Sequence, residues 1–250
     1  MARKPLLPPP AIHLGVESIL LTCPADAVDD LDALWDGVRA VGSPEHQALW
    51  SENGLRIGQL GSPLPSRLQD WLHDEAPGRP NGCLKTFHHR QEAFLPTTEV
   101  LDRCRVRLCM DLAAPPNQRQ WEQVIGGLWL HPRLHKRGVV LTCEPRLQHA
   151  ERNSWIRPAP DDSRFLRSEE PRWERFPFLQ LETELTTDDY LLIGPASGMP
   201  ESLGMALFGP GPAAATPSSA SQYRLLLLRI RMPALPAQDL PEIPPPYLRR

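Results

Sequence analysis

Lysine is nearly missing from this 250-residue chain. Lys4, Lys85 and Lys136 are the only ones among 27 basic residues, so arginine carries the positive charge. The formal net charge is −3, which gives no electrostatic case for nucleic acid or an anionic membrane. Cysteine is scarce and odd in number: Cys23, Cys83, Cys104, Cys109 and Cys143, with no C-x-x-C pair. At this length a disulfide framework is not expected, and buried free thiols are. Long apolar runs are missing too. None approaches the roughly 18 residues of a membrane helix, so no transmembrane segment is expected. The N-terminus lacks the apolar stretch of a signal peptide. The chain as written reads as cytoplasmic, with the periplasm or cell envelope as the alternative if an export signal was removed.

Proline is plentiful, at 30 residues. It clusters in a proline-rich arm (1–12), near 158–160, in a low-complexity stretch (209–221) and in a second proline-rich tail (233–250). These clusters mark tails and loops. The expected organisation is one domain over 13–232. It contains a helical module (29–72), a polar excursion or mobile insertion (148–175) and a flexible loop (209–221).

Residues 31–61 show the clearest pattern. Leu31, Leu34, Trp35, Val38 and Val41 form one apolar helical stripe, behind acidic Asp29, Asp30 and Asp32 in the first turn. Gly42 is the expected stop. Ser43 and Pro44 open a second helix, which Asn53-Gly54 ends. A strand over 55–60 and a third short helix over 64–72 follow. Trp35 and Trp50 are expected to be buried together.

Most of what remains alternates like strands. Cys104, Val106, Leu108 and Met110 face one way, with Arg105 and Arg107 opposite. Residues 83–87 and 91–95 read as a hairpin around His88-His89, and 121–130 as a strand with a bulge at Gly126-Gly127. Residues 138–144 read as a strand. Residues 179–185 and 190–194 read as a hairpin, with 223–232 alongside and Glu182 and Glu184 beside Arg229 and Arg231. The apolar run 225–228 requires cover on both faces.

Catalytic patterns do not emerge. His131 and His135 have the spacing of a helical metal pair, but Pro132 and the strand pattern oppose a helix. There is no nucleophile elbow, phosphate loop or dinucleotide fingerprint. Cys143, among Val139, Val140 and Leu141, reads as core. No cofactor or metal is expected. Trp155 and Trp173 lie in the polar excursion and are the candidate protein-contact residues; anchoring that excursion is the equally weighted alternative.

Two stretches carry resemblances. LPPPAIHLGVESILLTCPAD, with LW-x-x-V and ENGLRIG after it, resembles a group of uncharacterised planctomycete proteins, some beginning with a lipoprotein-type signal. FLQLETELTTDDYLLIGPASGMPESLGMALFG, with YRLLLLRIRM after it, is similar in order to the end of the secretin homology domain of bacterial secretion channels. That pattern has Gly-Gly after its apolar strand, whereas Pro195 follows Gly194 here, and no lip segment is recognisable. The resemblance implies an envelope-associated structural role and does not imply a pore.

The reading is an α+β protein. A largely antiparallel sheet, or two packed sheets, carries two or three short N-terminal helices on one face. The function expected is that of a non-enzymatic structural or interaction protein with a protein partner, or with copies of itself as a homo-oligomer. An enzyme of unknown class using His or Cys residues is the alternative.

Overall fold

The computed structural model describes residues 13–24, 32, 34–73, 81–88, 91–135, 138–158, 165–209 and 222–231. The arm, the tail and residues 210–221 lie outside them. Eleven strands form two antiparallel sheets, with a few short helices, giving an α+β protein.

The first sheet has the order β2 (Arg39–Ala40), β3 (Leu55–Leu60), β10 (Tyr190–Pro195), β11 (Gln222–Arg231), β1 (His13–Pro24), β4 (Asn81–His88). The second has β5 (Ala93–Leu108), β6 (Asn117–His135), β7 (Gly138–Pro158) and β8 (Phe165–Arg175). β9 (Leu181–Leu185) pairs with the start of β7, along the edge that β8 occupies further on.

The apolar run of β11 explains the layering. Leu226, Leu228 and Ile230 join Val16, Leu191 and Ile193 in one core with Leu128, Leu130, Leu141 and Leu147 of the second sheet. Leu225 and Leu227 point the other way, into a cluster with Leu21, Leu34, Leu60, Leu192 and Leu68. Leu68 belongs to helix α2 (Ser66–His73). The run 225–228 is therefore covered on both faces, and no polar residue interrupts it; Arg224 and Arg229 flank it.

Helix α1 (Pro44–Glu52) starts as its sequence dictates. Ser43 Oγ accepts the His46 N–H at 3.2 Å, Pro44 occupies the first turn, and Gly54 leaves with φ +69°. Its Trp50 enters the core between the sheets, whereas α2 lies on the far side of the first sheet, so the short helices do not share one face.

Several local expectations are corrected. Gly37 has φ +80° and Arg39–Ala40 is already strand β2, so the chain leaves helical geometry before Gly42. Trp35 and Trp50 fall in different apolar clusters and meet only across a hollow of about 260 Å³. The hairpin expected around His88-His89 is a crossing between sheets, because β4 pairs with β1 and β5 with β6. The hairpin expected from 179–185 and 190–194 is another: β9 pairs with β7, β10 with β3 and β11. The turn itself forms, with Asp189 Oδ2 accepting from Thr186 N at 2.8 Å and Thr186 Oγ1 at 2.7 Å. It joins strands of different sheets, which a turn motif alone cannot specify. The irregularity expected at Gly126-Gly127 lies on the partner strand, between Pro96 and Val100.

Candidate interaction surface

The outer face of the second sheet is polar, and most of it is wired to itself. Along β6 and β7, Leu128, Leu130, Leu141, Cys143 and Leu147 enter the core. The alternate positions Trp129, His131, Arg133, His135, Glu144 and Arg146 turn outward. Arg133 donates across β7 to Glu182 Oε2 at 2.7 Å, and His135 Nδ1 sits 3.0 Å from Glu184 Oε1. These contacts replace the expected pairing of Glu182 and Glu184 with Arg229 and Arg231. Arg229 instead donates to Thr187 O at 3.1 Å, and Arg231 to Glu17 at 2.8 Å.

Glu144 is buried between two arginines. It accepts from Arg146 and, at 3.0 Å for each of two bonds, from Arg175. Burial pushes its carboxyl pKa up, but the hydrogen bonds and charges of Arg175 and Arg146 outweigh burial and leave it lowered. The Arg146 guanidinium lies 4.1 Å over Trp129, whose Nε1 donates to Glu92 at 2.7 Å.

Trp173 belongs to this cluster. Its ring stands edge-on to Phe94 at 4.8 Å and to Trp129 at 5.4 Å. Trp155 is elsewhere: its backbone pairs with Ser168, on the stretch of β7 and β8 beyond the last β6 pairing at His149. Residues 148–175 thus contain the paired ends of two strands, and the fold does not bring the two tryptophans together.

The histidines and cysteines are also dispersed. His131 and His135 are on a strand, where four residues span about 13 Å. Among the described residues no group of three or more His, Cys, Asp or Glu side chains is arranged to hold a metal. Cys104, Cys109 and Cys143 are buried free thiols. Burial pushes Cys104 up to about 11 and Cys143 to about 12, so both are protonated and poorly nucleophilic near neutral pH.

A different surface carries unspent charge. Beyond Gln123, which has φ +50°, β6 no longer pairs with β7, and residues 101–108 and 117–124 form a two-stranded ribbon. The inner side of the ribbon buries Leu101, Cys104, Val106 and Leu108. Its outer side exposes Arg103, Arg105 and Arg107, opposite Glu122, Gln120 and Gln118. These three guanidinium groups make no hydrogen bond or ion pair with the described residues. Val100 before the row is 47% exposed, and Met110 and Leu112 after it are 50% and 49%. Met110 was expected to face inward; the strand ends at Leu108 and releases it. At the Arg107 end lies a hollow of about 280 Å³, bordered also by Met199, Pro200, Glu52 and Glu201.

The ribbon is firmly held. Arg107 N donates to Glu201 O at 2.7 Å, and Thr97 Oγ1 to Leu207 O at 2.7 Å. Leu207 lies in helix α3 (Leu203–Phe208). Asn53, fully buried, donates from Nδ2 to Cys109 O and Leu49 O at 2.8 Å each and accepts from Cys109 N at 3.0 Å. Sequence reading found Arg105 and Arg107 as outward positions. It missed Arg103, although Arg-x-Arg-x-Arg is visible at 103–107, and it missed the apolar ends because nothing in the pattern says where β5 stops.

Comparison of the chain with models of protein families, with curated proteins and with solved structures finds no match.

Proposed function

We propose that this chain is a non-enzymatic structural and interaction module that works bound to another protein, at the cell envelope. One observation carries the reading. The fold pairs Arg56, Arg133, Arg146, Arg175 and Arg231 with acids. Among the described residues it leaves Arg103, Arg105 and Arg107 without an acid partner, in a row between exposed Val100, Met110 and Leu112. Arginine and methionine are both favoured at protein interfaces. A ribbon fastened through Asn53, Arg107 and Thr97 loses little freedom on binding.

The envelope assignment rests on the secretin-like order of the C-terminal part. There an alternating strand, a turn, the apolar β10, the Leu-Gly-x-x-Leu-Phe segment that is α3, and the apolar β11 follow one another. Fold order alone supplies no activity, and the partner is identified by photo-crosslinking in the native cell from a residue placed at Gln120, with one at exposed Glu45 as control. The expected result is a protein adduct at Gln120, recovered with the envelope fraction and absent from the Glu45 control. A second copy of the chain in that adduct would make the assembly a homo-oligomer. An uncrosslinked chain in the soluble fraction overturns the proposal.

A further inference from the structure

We infer that the arginine row binds an extended acidic segment of a protein, lying across the ribbon, with an apolar side chain anchored in the hollow beside Arg107. This rests on the interaction reading above and names the chemistry of the partner.

Arg103, Arg105 and Arg107 are alternate residues of one strand, so successive side chains are about 6.6–6.8 Å apart on one face. Acidic side chains at alternate positions of an extended peptide repeat at the same distance. A helix repeats its same-face residues at about 5–6 Å, shorter than the arginine row, so its misfit grows along the three positions while an extended segment keeps step. The guanidinium fork suits a carboxylate in two-point contact. Gln118 and Gln120 face Arg107 and Arg105 across the ribbon and offer amides to the peptide backbone.

The ends of the row select protein over other polyanions. Val100, Met110 and Leu112 are exposed at its two ends, and an oligonucleotide backbone has nothing apolar to set against them. The hollow of about 280 Å³ is bordered by Met199 and Pro200 and is side-chain sized, at the lower limit of pockets that enclose a whole small ligand. Glu52 and Glu201 also border it, so the segment is acidic opposite Arg103 and Arg105 and apolar beside Arg107. The net charge of −3 attracts no polyanion from a distance, which leaves recognition to the local row. At Arg107 the strand edge is taken by Glu201 O, so the segment crosses the face and adds no strand there.

The test is fluorescence anisotropy of the full chain with a fluorescein-labelled peptide, Thr-Glu-Thr-Glu-Thr-Glu-Thr-Leu, and with its all-Lys counterpart. The acidic peptide should bind and the basic one should not. The double variant Arg103→Glu/Arg105→Glu should weaken binding at least about tenfold, since it removes two ion pairs and adds two repulsions. Raising salt should weaken it further. Both arginines are exposed, but Arg103→Glu sets a like charge opposite Glu122, so the variant should still melt in one cooperative transition, slightly below the wild type. A single-stranded oligonucleotide and phosphatidylserine vesicles run in parallel. Equal binding of either one, with the same loss in the variant, overturns the protein-segment assignment. So does acidic-peptide binding that ignores the double variant, or none at all. If the Gln120 adduct forms in cells regardless of the two substitutions, the partner reading stands and this inference falls. If peptide binding behaves as stated while no adduct forms, the reverse holds.

Discussion

Replacing the Asn53 side chain should unfasten the end of α1 from the end of β5. That side chain bridges the two ends by hydrogen bonds: it serves Cys109 O, Cys109 N and Leu49 O. The backbone carbonyl of Asn53 accepts from Gly204 N at 3.0 Å, a tie to α3 that side-chain replacement leaves in place. In Asn53→Ala the buried Cys109 N–H and C=O lose their partner. An unmade buried hydrogen bond costs about 1–3 kcal/mol, so the pair costs about 2–6 kcal/mol. Against a usual domain stability of about 5–15 kcal/mol, that is a large fraction. Asn53→Asp separates shape from hydrogen bonding. It keeps the acceptor for Cys109 N but turns a carboxylate oxygen towards two carbonyls, so the folded state disfavours the charged form and raises that pKa. A carboxyl with a raised folded pKa loses stability as pH rises. Asn53→Asp should therefore be more destabilised at pH 7 than at pH 4, relative to wild type at each pH. Urea unfolding followed by tryptophan fluorescence at both pH values measures this. A loss under about 1 kcal/mol for Asn53→Ala, or a pH-independent loss for Asn53→Asp, would refute the reasoning.

Three further outcomes are expected. Glu144→Gln should cost about 3–5 kcal/mol near neutral pH, because it leaves Arg146 buried without a counter-charge. The folded pKa of Glu144 is lowered, so its contribution is present above the ordinary carboxylate value of 4.5 and is lost as pH falls through the folded value; urea midpoints of wild type and variant should converge in acid. Leu226→Asp and Leu227→Asp should each prevent soluble expression, since the two residues enter opposite apolar clusters. Tolerance of either would show that one face is open. Cys104 and Cys143 should resist iodoacetamide at pH 8 in the native chain and react in urea, as read by peptide mass spectrometry. Native alkylation of either would contradict its burial.

Local chemistry was legible in the sequence wherever neighbouring residues decide it. Ser43-Pro44 started α1, Asn53-Gly54 ended it, Leu55–Leu60 became β3, and the apolar run 225–228 announced a strand covered on both sides. Each depends on a cap, a φ angle or a burial pattern within a few residues. Partnership between strands was not legible. Thr186–Asp189 makes the same turn whether the strands beside it pair with each other or part for different sheets, and here they part. Asn53 was readable as a helix stop but not as the tie to Cys109, 56 residues away. The arginine row has the same origin. Arg105 and Arg107 alternate visibly with apolar residues. That no acid among the described residues pairs with them, while Glu182 reaches Arg133 and Glu144 reaches Arg146 and Arg175, depends on which strands the sheet places side by side. Sequence alone determined which residues turn inward and where short elements begin and stop. Tertiary structure decided which charges are neutralised and which are left for a partner, because that depends on distances between residues far apart in the chain.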